Sequence, residues 1–282
     1  MIEITNLSPF LRTPYLLIFL ATSCVIASSC NPTTDVSKPP AETPPTNLTT
    51  DLPDELALVL DAHGGLASWR EQRTLFYTIS SHPATQGEQQ LVDLRDRRER
   101  VIQPAKDDGA PVEMGFDGQH HWVKADSSFR GNPLFYHNLM FYFYAMPWVL
   151  ADPGINYTAA EPLTFAGTTY PGLLISYDDG IGYSPKDNYR LHYDPETNRM
   201  RWLGYTVTAR TGETSDKFSW IEYPTWTAHA EVELPDSLVW YSTEANLPVK
   251  PRNIRYFTQT ELSPSPAPAE RFAMPPGGRA VE

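Results

Sequence analysis

The spacing of apolar and polar residues changes several times along the chain. Near the start, Tyr15-Leu16-Leu17-Ile18-Phe19-Leu20-Ala21 is an unbroken apolar run, preceded by Arg12 and followed by small residues up to Ser29. A cationic flank, a short hydrophobic stretch and small residues at its end predict a secretory signal over 1–29, with Glu3 the one departure from the pattern. The run is shorter than the roughly 20 apolar residues that a bilayer-spanning helix takes. Pro and Thr then dominate up to Asp51, without periodicity, and predict an extended tether over 30–51. After it, Leu56, Val59, Leu60 and His63 recur at helical spacing. Asp51 is placed to cap this helix, Pro53 fits its first turn, and Gly64-Gly65 ends it. His63 falls in the last turn, where a cationic imidazole would meet the helix dipole favourably. A second short helix is expected over 66–73, with Trp69 turned inward.

From residue 75 onward, alternation replaces helical spacing. Asp117-Gly118 between two apolar runs is a strong two-residue hairpin signal, Gly167 joins another pair, and Asp194-Pro195-Glu196-Thr197-Asn198 a third. The pattern predicts about eleven strands joined mostly by short hairpins, hence one strongly curved antiparallel sheet rather than a βαβ fold. Over 200–208, Leu203, Tyr205 and Val207 share one face while Met200 and Trp202 share the other. Both faces are apolar there, which fits a sheet packed on both sides or one lining a cavity.

One segment interrupts the meander. Over 132–152, Phe135, Tyr136, Leu139, Met140, Phe143, Tyr144 and Trp148 follow helical spacing, with Pro147 as a break. A helix apolar nearly all round must be covered on most sides, so it is expected as a plug or lid in the concave side of the sheet.

Composition narrows the chemistry. The only cysteines are Cys24 and Cys30, both in the N-terminal segment, so residues 52–282 hold no disulfide, thiolate metal site or cysteine nucleophile. Ala27-Ser28-Ser29-Cys30 resembles a lipobox, with Ala27 where leucine is usual. Cys30 is favoured over Cys24 as the lipidated residue because cleavage at Cys24 would leave Val25-Ile26-Ala27 as an apolar start. Ordinary signal cleavage, with Cys30 incidental, is the other reading. The net charge of -12 and the lack of a basic face argue against a nucleic-acid partner. Trp, Tyr and Phe reach 12%, which suits strands and cavity walls.

Candidate chemistry is sparse. No histidine pairs with carboxylates at a metal spacing, and His120-His121, adjacent on a strand, point to opposite faces. Asp107-Asp108-Gly109 and Asp178-Asp179-Gly180 lack the alternating ligands and closing Glu of a calcium loop and read as turns. There is no Gly-x-Ser-x-Gly elbow and no phosphate-cradling glycine loop. No metal, cofactor or catalytic constellation is therefore expected.

Four stretches, Ala62-His63-Gly64-Gly65, Gly115-Phe116-Asp117-Gly118, the run from Pro147 through Trp148 to Gly154, and the run from Asp187 through Asn188 to Thr197, resemble a family of uncharacterised lipoproteins of Gram-negative bacteria. That family is similar in fold to the lipoprotein carriers LolA and LolB, and the similarity runs from about Leu52 to Met274. The resemblance implies a mainly β, α+β fold: one domain over 52–282, a half-open antiparallel β-barrel with helices over its concave, apolar face. In LolA and LolB that cavity holds acyl chains, so the expected function is a membrane-anchored envelope protein holding a lipid or other hydrophobic ligand. Phe135, Tyr136, Phe143, Tyr144 and Trp148, with Trp202 and Tyr205, are the expected pocket residues. A structural or interaction module with a solid core is the alternative, and a hydrolase on the same scaffold a third. Asn31 after the cysteine is not the Asp associated with inner-membrane retention, which points to the outer membrane.

Overall fold

The structure is a computed structural model that describes residues 52–281, apart from 106–108, 127–128, 179–183 and 210. The signal segment, the tether, Cys24 and Cys30, and most of the two calcium-like Asp-Asp-Gly stretches lie outside the described residues.

Helix α1 (Asp54–Ala62) buries Leu56, Val59 and Leu60 and carries Pro53 at its cap position rather than inside its first turn. His63 closes it, but not as a cation. It is fully buried, its Nδ1 lies 2.7 Å from Val59 O, and burial lowers its pKa to about 4, so the imidazole is neutral there. Gly64 takes φ +108° against the backbone of Glu231, where a Cβ would come within 1.8 Å of the Glu231 oxygen. Helix α2 (Leu66–Glu71) follows, with Trp69 buried as its spacing predicts.

Thirteen strands form one open antiparallel sheet. The chain enters at its middle with β1 (Thr74–Ser80) and builds one wing outward through β2 (Glu88–Asp93), β3 (Glu99–Gln103), β4 (Val112–Phe116) and β5 (His121–Lys124). The other wing runs inward from β6 (Ile155–Ala159) through β9 (Gly172–Tyr177), β10 (Tyr189–Tyr193), β11 (Met200–Tyr205), β12 (Ser219–Glu222) and β15 (Ser237–Glu244). Strand β16 (Leu247–Ser263) then pairs with β1 at the centre, and β17 (Arg279–Val281) returns to cover the edge of β5. Two separate hairpins, β7 (Leu163–Phe165) with β8 (Thr168–Tyr170) and β13 (Trp226–His229) with β14 (Val232–Pro235), bring the described strands to seventeen.

The mainly β, half-open architecture is the expected one; the strand count is higher than about eleven, and four of the additional strands can be traced. Pro171 splits the run over 170–177, and a turn at Ala230-Glu231 splits 228–234. Strand β17 is only three residues long, whereas β6 does alternate, with Ile155, Tyr157 and Ala159 against Asn156 and Thr158, and was missed despite that pattern. The turns form where expected, although the first takes in residues 117–120, with His120 in the turn rather than on β5: Gly118 takes φ +101°, and the Asp117 carboxylate accepts from Gln119 N–H and His120 N–H at 2.8 Å each. Asp194 does the same for Glu196 and Thr197.

The concave face carries the main core, from Leu75, Tyr77 and Ile79 in β1 to Ile175, Leu191, Leu203 and Ile221 in the far wing. The segment over 132–152 fills it, but not as one helix. Helix α3 (Pro133–Tyr136) stops at His137, Asn138 adopts the left-handed conformation, and α4 (Leu139–Tyr144) and a 3-10 turn (Trp148–Ala151) follow. On the convex face, the β7–β8 hairpin covers a second cluster of Leu163, Tyr170, Trp202, Phe218, Trp220 and Tyr241. Packing on both sides of the far wing is thus real. A register irregularity beside Arg201 pairs Tyr193 with Met200 while His192 pairs with Trp202. That extra residue turns Met200 to the concave core with Leu203, which strict alternation places opposite.

Candidate functional site

The plug divides the concave face into a closed middle and two ends. In the middle, Phe141, Tyr144, Met146, Trp148, Val149 and Leu150 are each at most 1% exposed. Trp148 stacks on Trp69 at 5.6 Å, and Tyr144 stacks on Phe257 at 3.9 Å while its hydroxyl meets Thr260 Oγ1 at 2.7 Å. Burying six such side chains contributes about 9–18 kcal/mol at about 1.5–3 kcal/mol each, as much as a whole domain's stability of about 5–15 kcal/mol. This part of the plug is core, and it cannot swing out as a lid without unfolding the domain.

At the far wing the face becomes aromatic and half-buried. Cross-strand pairing sets Tyr157, Ile175, Tyr189 and Tyr205 in one row, with Tyr177 two residues beyond Ile175. Helix α4 lays Phe143 on this row, its ring 5.0 Å from Tyr205 and 6.2 Å from Trp240. Trp240 Nε1 donates to the Tyr205 hydroxyl at 3.1 Å, and the Tyr177 hydroxyl has no hydrogen-bond partner among the described residues. Burial raises the pKa of Tyr177, Tyr189 and Tyr205, and that of Tyr157 to about 12, so all four stay protonated.

At the near wing the plug meets a polar nest. The Tyr136 hydroxyl donates to Glu88 Oε2 at 2.5 Å, which also accepts from Gln103 Nε2 at 2.9 Å. Gln90 bridges Glu88 to the buried Tyr77 hydroxyl. Beside it Glu99, 2% exposed, accepts from Asn138 N–H at 3.0 Å and lies 3.2 Å from His137 Nδ1. This docking of the chain on Glu99 coincides with the break between α3 and α4. The His121 ring lies 4.9 Å from His137, and both contact Phe116. Burial, then the neighbouring His137, lowers the His121 pKa to about 4. Burial, then Glu88, raises that of Tyr136.

The expected pocket residues therefore do not form one pocket. Tyr144 and Trp148 are core; Phe143 and Tyr205 meet at the aromatic end; Phe135 and Tyr136 lie on α3, with Tyr136 packed against Val101, Met114 and Val123. Trp202 stands apart from all of them on the convex face, 4.7 Å from Phe165, with the sheet between. The nest was missed, although one signal marked it: Glu99 shares a strand face with Val101, and His121 with Val123.

Two shallow hollows of about 490 and 430 Å³ lie elsewhere. One is lined by Lys217, Tyr241, Asn246 and Arg252, the other by Phe76, Leu91, Glu261 and Arg271. Among the described residues no group of three His, Cys, Asp or Glu is placed to hold a metal ion, and no helix is long and apolar enough to cross a membrane.

Residues 130–221 match a family of unknown function, DUF6503. The matched stretch starts just before α3 and ends in β12, so it takes in the plug and most of the far wing. Among solved structures, the chain is similar to a LolA superfamily protein from Nitrosomonas europaea, with 10% identity over 72% of this chain and 89% of that one at TM-score 0.44. It is similar to a DUF1329 family protein from Desulfovibrio piger, with 6% identity over 73% and 91% at 0.43. A third is a putative outer membrane lipoprotein-sorting protein domain from Vibrio parahaemolyticus, with 7% identity over 72% and 93% at 0.37. The likenesses are loose, and the fold stands on its own strand order. No curated protein matches the chain.

Proposed function

We propose that this chain is a lipid-anchored binding protein of the bacterial cell envelope, without catalytic activity, that takes an apolar ligand at the aromatic end of its concave face. The observation that carries the reading is the contrast inside that face. Its middle is filled by core side chains, whereas Tyr142, Tyr177, Tyr189, Tyr205 and Trp240 around Phe143 remain half-buried. Half-buried aromatics offer apolar area to a ligand without displacing core. Cys30 supplies the anchor, two or three acyl chains giving stable attachment where one is marginal. Asn31 next to it favours the outer membrane.

Native mass spectrometry after mild extraction from membranes tests both parts. The expected result is an acylated Cys30 and a co-purifying apolar molecule that is lost from a Tyr205→Ala/Trp240→Ala double variant. An unloaded protein, or a load retained by the double variant, would sink the binding reading. The closed middle favours one other reading, a solid-core interaction module of the envelope. Under it no ligand is recovered and crosslinking in membranes captures a protein neighbour instead.

A further inference from the structure

We propose that the polar nest of the near wing is a second binding site, specific for a primary ammonium on a small apolar stem. Three polar atoms around the His137 ring lack a hydrogen-bond partner among the described residues: Glu99 Oε1, Asn138 Oδ1 and His121 Nε2. Glu99 and Asn138 are 2% and 8% exposed, so bulk water does not serve them. Their other polar atoms are engaged. Glu99 Oε2 holds the Asn138 N–H, and Asn138 Nδ2 lies 2.8 Å from His137 Nε2. A carboxylate oxygen and an amide oxygen can only accept, and His121 Nε2 accepts as well in the tautomer of the neutral ring that carries its proton on Nδ1. The nest thus asks for donors, and an ammonium group brings three.

Charge points the same way. Glu88 and Glu99 are both set into this end, and their partners are Gln90, Gln103, Tyr136, the Asn138 backbone N–H and His137, with no lysine or arginine among them. An anion would face two carboxylates with little to donate to it. A cation also finds Phe116, whose ring lies 4.7 Å from His121 and 5.0 Å from His137 and offers the stem an aromatic wall. Cross-strand pairing sets Glu99, Phe116 and His121 in one row across β3, β4 and β5, so the rigid sheet fixes the two ends of the site. A metal ion is the rival cation, but no three His, Cys, Asp or Glu groups among the described residues are placed to hold one.

The test titrates the intact chain with hexylammonium, hexanoate and hexanol at pH 7.5, read by calorimetry and by the NMR signals of the His121 and His137 rings. Hexylammonium is expected to bind about tenfold more tightly than either control and to move both ring signals. Glu99→Gln should erase the preference. If that variant does not fold, His121→Phe answers instead: it should keep the melting temperature and lose most of the hexylammonium affinity. Equal binding of the three probes, unmoved ring signals, or a tighter response to Zn²⁺ than to hexylammonium overturns the site. A Tyr205→Ala/Trp240→Ala variant should bind hexylammonium normally, so failure at one end of the concave face is distinguishable from failure at the other.

Discussion

At the aromatic end of the concave face, α4 rests Phe143 on Tyr205 and Trp240, and the Tyr205 hydroxyl accepts from the Trp240 indole N–H. At the polar end, α3 and the link to α4 set Tyr136, His137 and Asn138 over Glu88 and Glu99, with the polar atoms inside. One plug of 21 residues covers both ends, yet it is held by different physics at each. Aromatic contacts tolerate sliding and partial exposure, because their attraction is non-directional. Buried hydrogen bonds to carboxylates do not, because a lost partner leaves a charge in a dry place. The first arrangement suits a yielding apolar surface and the second a fixed, selective one.

The contrast can be broken or sharpened by graded changes. The largest effect is expected where the two ends meet, since both depend on the core between them. Trp148→Ala should cost about 4 kcal/mol in urea unfolding, as for other buried aromatics. A loss under about 1 kcal/mol would mean the middle is itself a lid, and the division into two ends would fall.

His137→Ala should cost about 3 kcal/mol, because a buried oxygen of Glu99 then loses a hydrogen-bond partner. The matching removal at the other end, Tyr205→Ala, should cost markedly less. Similar losses from the two would erase the distinction.

Acid provides the next test. His63 and His192, 0% and 1% exposed, have pKa values lowered by burial from 6.5 to about 4. The unfolded chain takes up these protons below pH 6.5 while the folded one does not. Stability is therefore full above that pH and falls as pH drops from 6.5 toward 4, by about 3 kcal/mol per histidine. Melting temperature against pH should show this fall, and a His192→Leu variant should show a shallower one. A flat profile for the native chain would contradict the burial of both rings.

The smallest effect separates the two kinds of hydroxyl. Tyr136→Phe removes a bond to Glu88 and should cost about 1 kcal/mol, whereas Tyr205→Phe should change stability by less than about 0.5 kcal/mol. Chemical denaturation of the pair decides it, and the reverse order would assign the dry polar atoms to the wrong end.

How much of this was written in the chain differs by level. The hairpin at Asp117-Gly118, the turn after Asp194 and the helix ending at Gly64 were legible because backbone geometry there depends on a few local residues. The apolar plug was legible as a segment, since a stretch apolar on all sides must be covered. Its break at His137-Asn138 was not, because a carboxylate from β3 takes the Asn138 N–H and no local pattern announces that. Trp202 was read toward the cavity for a related reason: alternation says that it opposes Leu203 but not which face is concave. The extra residue at Arg201 then moved Met200 across the sheet. The polar nest draws on three elements, so its members lie far apart in sequence. The inward position of Glu99 beside Val101 was the one clue available beforehand.

The pairing of β1 with β16 at the centre of the sheet also governs how the domain comes into being. Thr74 Oγ1 donates to Ser265 O across a separation of 191 residues, and the two wings meet along this seam. Each wing is a string of neighbours that can pair while the chain is still being made, because its loops are short. The seam must wait for nearly the whole sequence, and only then do the wings share one concave side. Closing so long a loop is slow, so the last step of folding should join two half-sheets whose edges and apolar faces stay bare until that moment.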